Sequence, residues 1–171
     1  HDIGKVGIPD QILLKEGPLD VGEFEIMKRH TTLGRDALRE AECGGDTQHP
    51  FLRIASEIIY SHHERWNGKG YPEGLSGENI PFAARLMAIA DVYDALISKR
   101  VYKPAMPHHK AVEIIVQGRG EQFDPLIVDC FLVCADTFDT IATGNSDNAP
   151  PQPIADTSLA TGRIRGPGQP G

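Results

Sequence analysis

The chain is 171 residues long and 40% hydrophobic, with 17 basic residues, 24 acidic residues and a formal net charge of −7. That length and apolar content suit one domain with its own core. The acidic balance argues against a nucleic acid polymer as partner, because the long-range field repels it; a small phosphate ligand stays open, since a bound cation outweighs that field locally.

Asp20 and Glu23 pair as a capping box after Gly17-Pro18, which predicts a helix to about residue 39 carrying Phe24, Met27 and Leu33. The polar stretch 41–50 reads as an insertion at the surface. Pro50 suits the first turn of a second helix, with Leu52, Ala55, Ile58 and Ile59 facing inward and His62 and His63 at its end. Residues 64–81 hold Gly68, Gly70, Pro72, Gly74 and Gly77, so a long ordered loop is expected. Pro81 opens a third helix to about residue 98, with Leu86, Ile89, Ala90, Tyr93 and Ile97 on one side, and Pro107 opens a fourth that ends at Gly118. Asp124 as N-cap and Pro125 behind it start a fifth. No segment alternates with period two, so the predicted class is all-α: a bundle of about five helices over residues 1–136. Residues 137–171, dominated from 142 by Pro, Gly, Ser, Thr, Asp and Asn, are expected to form a disordered tail.

Cys43, Cys130 and Cys134 form no Cys-x-x-Cys pair, and an odd count argues against a disulfide framework; they read as reduced thiols used in packing. No apolar run approaches the ~20 residues that span a membrane, and no secretory leader is visible. The expectation is a cytoplasmic protein without a membrane segment. His1 in place of Met makes the chain read as truncated at its start.

Chemistry-bearing residues are scattered. The chain opens on His1-Asp2, whose neighbouring side chains diverge by about 100° on a helix. His30 lies within the first amphipathic stretch, and alone it reads as a surface or satisfied core histidine. The adjacent His62-His63 is less usual, although one exposed ring and one capping the last carbonyls would account for it. Asp91 is the most informative residue on physical grounds: it sits among Met87, Ala88, Ile89, Ala90 and Val92, where a carboxylate is costly to bury without a cation. Imidazoles and carboxylates without thiolate favour Mn or Fe over a structural zinc site. Two such ions close together suit phosphodiester hydrolysis.

Several long runs then carry a resemblance. His1-Asp2-Ile3-Gly4-Lys5-Val6-Gly7-Ile8-Pro9-Asp10 is one. His62-His63-Glu64-Arg65-Trp66-Asn67-Gly68-Lys69-Gly70-Tyr71-Pro72-Glu73-Gly74-Leu75 is another. Ile80-Pro81, Ala84-Arg85, Ala90-Asp91-Val92-Tyr93-Asp94-Ala95-Leu96, Arg100-Val101-Tyr102-Lys103 and residues 120–125 follow in order. Together they resemble the HD-GYP domain family, metal-dependent phosphohydrolases of the HD superfamily that typically hydrolyse the bacterial second messenger cyclic di-GMP. The likeness covers residue 1 to about residue 133.

The resemblance implies an HD-superfamily helical bundle and an output domain of a bacterial signalling protein. It implies two or three divalent ions, Fe or Mn, held by His1, Asp2, His30, His62, His63 and Asp91, with Asp2 bridging. Lys5 would act beside Asp2 on the phosphate or nucleophile, and Arg100 and Lys103 would contact the phosphates of the cyclic dinucleotide. The Gly70-Tyr71-Pro72 loop would serve substrate access or contact a diguanylate cyclase, with Glu64 and Trp66 structural, and a homodimer is a further expectation. The family also places a histidine, and in some members a glutamate, on a helix before the His-Asp pair, positions that precede His1. Asn67 stands where the family has Asp, a change that the same turn tolerates. The alternative readings are a regulatory module that binds the dinucleotide or a partner without turnover, and a phosphohydrolase for a different nucleotide.

Overall fold

Local chemistry starts the helices of the computed structural model close to where the sequence places them. The Asp20 carboxylate accepts from the backbone N–H of Glu23 while the Glu23 carboxylate accepts from that of Asp20, each at 2.8 Å. Asp124 accepts from the N–H of Leu126 at 2.9 Å, closing the first turn after Pro125.

The structure describes residues 1–42, 50–98 and 106–144. In chain order these form a 3-10 turn Ile3–Gly7, helices α1 (Asp10–Leu13), α2 (Val21–Lys28), α3 (His30–Glu42) and α4 (Pro50–Ser61), a second 3-10 turn Gly77–Asn79, and helices α5 (Phe82–Ile97), α6 (His108–Gln117) and α7 (Pro125–Gly144). No strand occurs among the described residues, so the all-α expectation holds.

Among the described residues the expected five helices become seven. One addition is the single turn α1. The other is a break at Arg29, within the first predicted helix. His30 Nδ1 bonds the Met27 carbonyl at 2.7 Å, Thr31 Oγ1 the Lys28 carbonyl at 3.0 Å and Thr32 Oγ1 the Arg29 carbonyl at 2.8 Å. Three successive side chains thus compete for the carbonyls that a continuous ladder would use.

Helix α5 is the centre of the fold. It packs on α4 on one side and on α6 and α7 on the other, while the Ile3–Gly7 turn and α4 pack on α3. The apolar core lies on the α5–α7 side: Ile89, Tyr93, Ala111, Ile115, Phe123, Ile127, Val128 and Phe131 are buried together. Tyr93, Phe131 and Phe138 meet edge to face, with ring centroids 5.1–5.8 Å apart.

Three expectations change here. The boundary at 136 falls inside α7, and Phe138 and Ala142 beyond it pack against the core. Leu86 is 45% exposed, its place inside being taken by Ala84 and Ala88. Cys130 and Cys134 are exposed on α7 rather than packed, because the inward positions of that helix belong to Ile127, Phe131 and Ala135. Cys43, the rest of the 43–49 stretch and the tail beyond 144 lie outside the described residues.

Candidate metal centre

Glycine sets the approach on which the site depends. A Cβ on Gly4 would lie 1.9 Å from the His30 carbonyl oxygen and 2.5 Å from the backbone nitrogen of Gly34. The Ile3–Gly7 turn therefore rests directly on α3, backbone against backbone, and carries His1 and Asp2 to the start of that helix. From the far side, α4 delivers His62 and His63 at its end, and the middle of α5 delivers Asp91.

These six side chains come together. His1 Nε2 lies 3.4 Å from Asp2 Oδ2 and 3.4 Å from Asp91 Oδ1. The ligand atoms of His30, His62 and His63 all lie within 4.8 Å of one another, as do those of His1, Asp2 and His62, so His62 belongs to both groups. Asp2 stands between them, with Oδ1 3.7 Å from His30 Nε2 and Oδ2 accepting from Lys5 Nζ at 2.6 Å. Lys5, on the same 3-10 turn, thus meets the cluster at its carboxylate. Arg100 and Lys103 lie outside the described residues.

Two nitrogens test whether the cluster fits a metal. His30 is 1% and His62 2% exposed. Each Nδ1 is committed to a helix carbonyl, of Met27 for His30 and of Ile58 and Ile59 for His62, at 2.7–3.0 Å. That hydrogen bond puts the proton on Nδ1 and leaves a lone pair on Nε2. Both Nε2 atoms are buried with no hydrogen-bond partner. An orphan of this kind costs about 1–3 kcal/mol, and a cation accepting the lone pair removes the cost. The donor set of nitrogen and carboxylate oxygen suits a divalent ion.

The electrostatics agree. Burial depresses the His62 imidazole and pushes that of His63 down to about 3, helped by the neighbouring imidazoles. Both are neutral at pH 7, the form that ligates. Burial acts to raise the Asp2 carboxyl, but the hydrogen bond and charge of Lys5, with His30 and His62, hold it below its ordinary value. Asp2 is therefore ionised.

A cavity of about 290 Å³ opens beside the cluster, with His62, His63 and Asp91 on one wall. The Tyr71 ring lies over that of His63, with centroids 4.8 Å apart, and Phe24 meets Tyr71 edge to face. Burial and the carboxylates of Asp2 and Asp91 push the Tyr71 phenol up, so it stays protonated. The loop reaches this place because Gly70 lies flat on Glu64 and Arg65, where a Cβ would sit 2.4 Å from the Arg65 nitrogen. Glu64 accepts from the backbone N–H groups of Glu73 and Gly74 at 2.7 and 3.1 Å, which holds the loop together.

Sequence reasoning missed part of this cavity. Arg65 and Gln122 line it and bond each other, Arg65 Nη2 to Gln122 Oε1 at 3.2 Å. Gln122 lies on the turn between α6 and α7 and carries no local signal. Phe24, one of the apolar residues the sequence places along that helix, is 44% exposed and lines the cavity.

The comparisons with known proteins accord with this geometry. The HD domain family matches residues 1–127. A cyclic di-GMP phosphodiesterase of Vibrio cholerae is 55% identical over 149 residues, 87% of this chain and 30% of the relative. A probable cyclic di-GMP phosphodiesterase of the same organism is 53% identical over 147 residues, 86% of this chain and 33% of the relative. A cyclic di-GMP phosphodiesterase of Thermotoga maritima is 46% identical over 132 residues, 77% of this chain and 34% of the relative. The chain spans about a third of the length of these curated relatives. Membership implies a divalent-metal site, and among the described residues no helix is long and apolar enough to cross a membrane. The chain belongs to the HD domain family, in its HD-GYP branch.

Proposed function

We propose that this chain is the catalytic domain of a metal-dependent phosphodiesterase that opens cyclic di-GMP to linear pGpG and carries it on to GMP, as the output domain of a larger signalling protein. The observation that carries the reading is the pair of buried, unpartnered Nε2 atoms of His30 and His62 facing an ionised Asp2. The names of the relatives supply the substrate class.

His1, Asp2, His30, His62, His63 and Asp91 would hold two or three ions, Fe or Mn by the donor chemistry, with Asp2 shared between them. Bound there, divalent ions supply activated water and draw charge from the phosphoryl oxygens. The chain's own groups do the rest. Lys5 keeps Asp2 ionised and brings a positive charge to the phosphate. Tyr71, stacked on His63, narrows access and excludes bulk water. Arg100 and Lys103 are assigned from the sequence to the phosphates of the dinucleotide, a fork and a point charge respectively. The Gly70-Tyr71-Pro72 loop is offered to a diguanylate cyclase partner. The working domain is proposed to be 1–136 with the rest of α7 attached, acting in the cytoplasm as a homodimer.

The test is turnover. The protein with its native flanking sequence is loaded anaerobically with Mn²⁺ or Fe²⁺, and cyclic di-GMP is followed by chromatography. Wild type is expected to release pGpG and Asp2→Ala to release none. Metal-loaded wild type that holds the dinucleotide intact overturns the enzyme reading in favour of a regulatory module.

A further inference from the structure

The cavity beside the cluster has a second wall that the metal chemistry does not use. Arg65 lies on that wall, and among the described residues no carboxylate lies within ion-pair distance of its guanidinium. Arg65 Nη2 donates to Gln122 Oε1, which leaves the Gln122 amide N–H groups free to donate. Arg65 and Gln122 thus bring a guanidinium without a carboxylate partner and a free amide to one cavity, which they share with the aromatic rings of Phe24 and Tyr71.

A flat ligand with two adjacent acceptors on one edge answers this arrangement. Guanine offers O6 and N7 as adjacent acceptors and an exocyclic N2 amine as donor, whereas adenine turns an N6 amine toward any donor placed at that position. Aromatic rings suit its faces. At about 290 Å³ the cavity is at the lower limit of ligand pockets, about 300 Å³, so it takes one half of a dinucleotide and leaves the other outside.

We propose that Arg65 and Gln122 read the O6/N7 edge of one guanine of the substrate and so set the preference for guanine over adenine. The inference rests on the cyclic dinucleotide reading above for its biological substrate, but the base preference is measurable without turnover.

Trp66, the sole tryptophan of the chain, adjoins Arg65, and its backbone N–H bonds the Gln122 carbonyl at 3.1 Å. Its fluorescence reports on this wall. Mn²⁺-loaded protein is titrated with GMP and with AMP. Wild type is expected to bind GMP about ten- to a hundredfold more tightly, the discrimination of one bidentate contact. Arg65→Lys keeps the charge and loses the fork, and is expected to reduce that ratio at least fivefold. Gln122→Glu draws the guanidinium into an ion pair and puts an acceptor at the edge, so it should weaken GMP and strengthen AMP; circular dichroism checks that both variants fold. Wild type that binds the two nucleotides equally, or variants that keep the wild-type ratio, overturn the proposal. Guanine preference without hydrolysis of cyclic di-GMP keeps the pair and sinks the phosphodiesterase reading instead.

Discussion

The two sides of α5 are built on opposite principles. Toward α6 and α7 the buried side chains are mostly aliphatic and aromatic, the Tyr93 hydroxyl has the ring of His108 at 2.9 Å, and the buried Asp124 is paired with Arg85 at 2.6 Å. Toward α3 and α4 the buried residues include His30, Thr31, Ser61, His62 and Glu64, and three of their polar atoms lack partners. The first side is stabilised by what the chain itself supplies. The second is complete only with something added, and holds its shape through close backbone contact and short hydrogen bonds. Binding capacity is concentrated where self-satisfaction is lowest.

Truncating the aromatic cluster should do the most thermodynamic damage and the least to the site. Phe131→Ala is expected to cost about 3–5 kcal/mol while leaving Mn²⁺ affinity within twofold, as urea unfolding and metal titration would show. A large loss of affinity would mean that the two sides are not separable.

Gly4→Ala sharpens the contrast from the other direction. Its Cβ would meet three backbone atoms that cannot step aside, so a cost of about 3 kcal/mol should come with loss of metal binding. Gly144→Ala, with open space around it, should be close to neutral in both assays.

Metal removal should act on one side alone. With Mn²⁺ at about a hundred times its Kd, stability is expected to rise by about 2.7 kcal/mol. His62→Gln should abolish that increment, and Phe131→Ala should retain it. Thermal melts with and without chelator distinguish the outcomes.

A separate effect is the pH dependence of the metal-free protein. The folded His63 imidazole titrates at about 3, against about 6.5 in an unfolded chain. Between those values the unfolded state holds the extra proton, so this contribution to stability is fully present above about pH 6.5 and is lost progressively as pH falls toward 3. His63→Gln should flatten the slope of stability against pH between pH 6.5 and 4.5, and an unchanged slope would assign it to other groups.

The fold class was legible because periodicity and punctuation agreed: the Asp20-Glu23 box, Pro50, Pro107 and Asp124 each mark a helix start within a residue or two of the observed one. The break at Arg29 was not, because nothing in the pattern says that His30, Thr31 and Thr32 all turn back on carbonyls. In the site, His1, Asp2, His30, His62, His63 and Asp91 were nameable from motifs and do converge, while their service as ligands awaits the metal titrations. The contact of Gly4 with Gly34 and that of Arg65 with Gln122 join positions 30 and 57 residues apart, without local pattern. Asp124 shows both limits at once: its capping role was readable, but its 2.6 Å ion pair with Arg85 belongs to the tertiary structure.

The tethering of His30 to α2 and of His62 to its own helix α4 has a consequence for selectivity. Each ring is pinned by a carbonyl three or four residues back, so its orientation is settled when the helix forms, before any ion arrives. Such rings act as fixed marks on a ruler rather than as arms that reach. An ion of unsuitable radius could be accommodated only by breaking these hydrogen bonds and turning a buried ring, so size discrimination is built into the helix carbonyls that hold the rings.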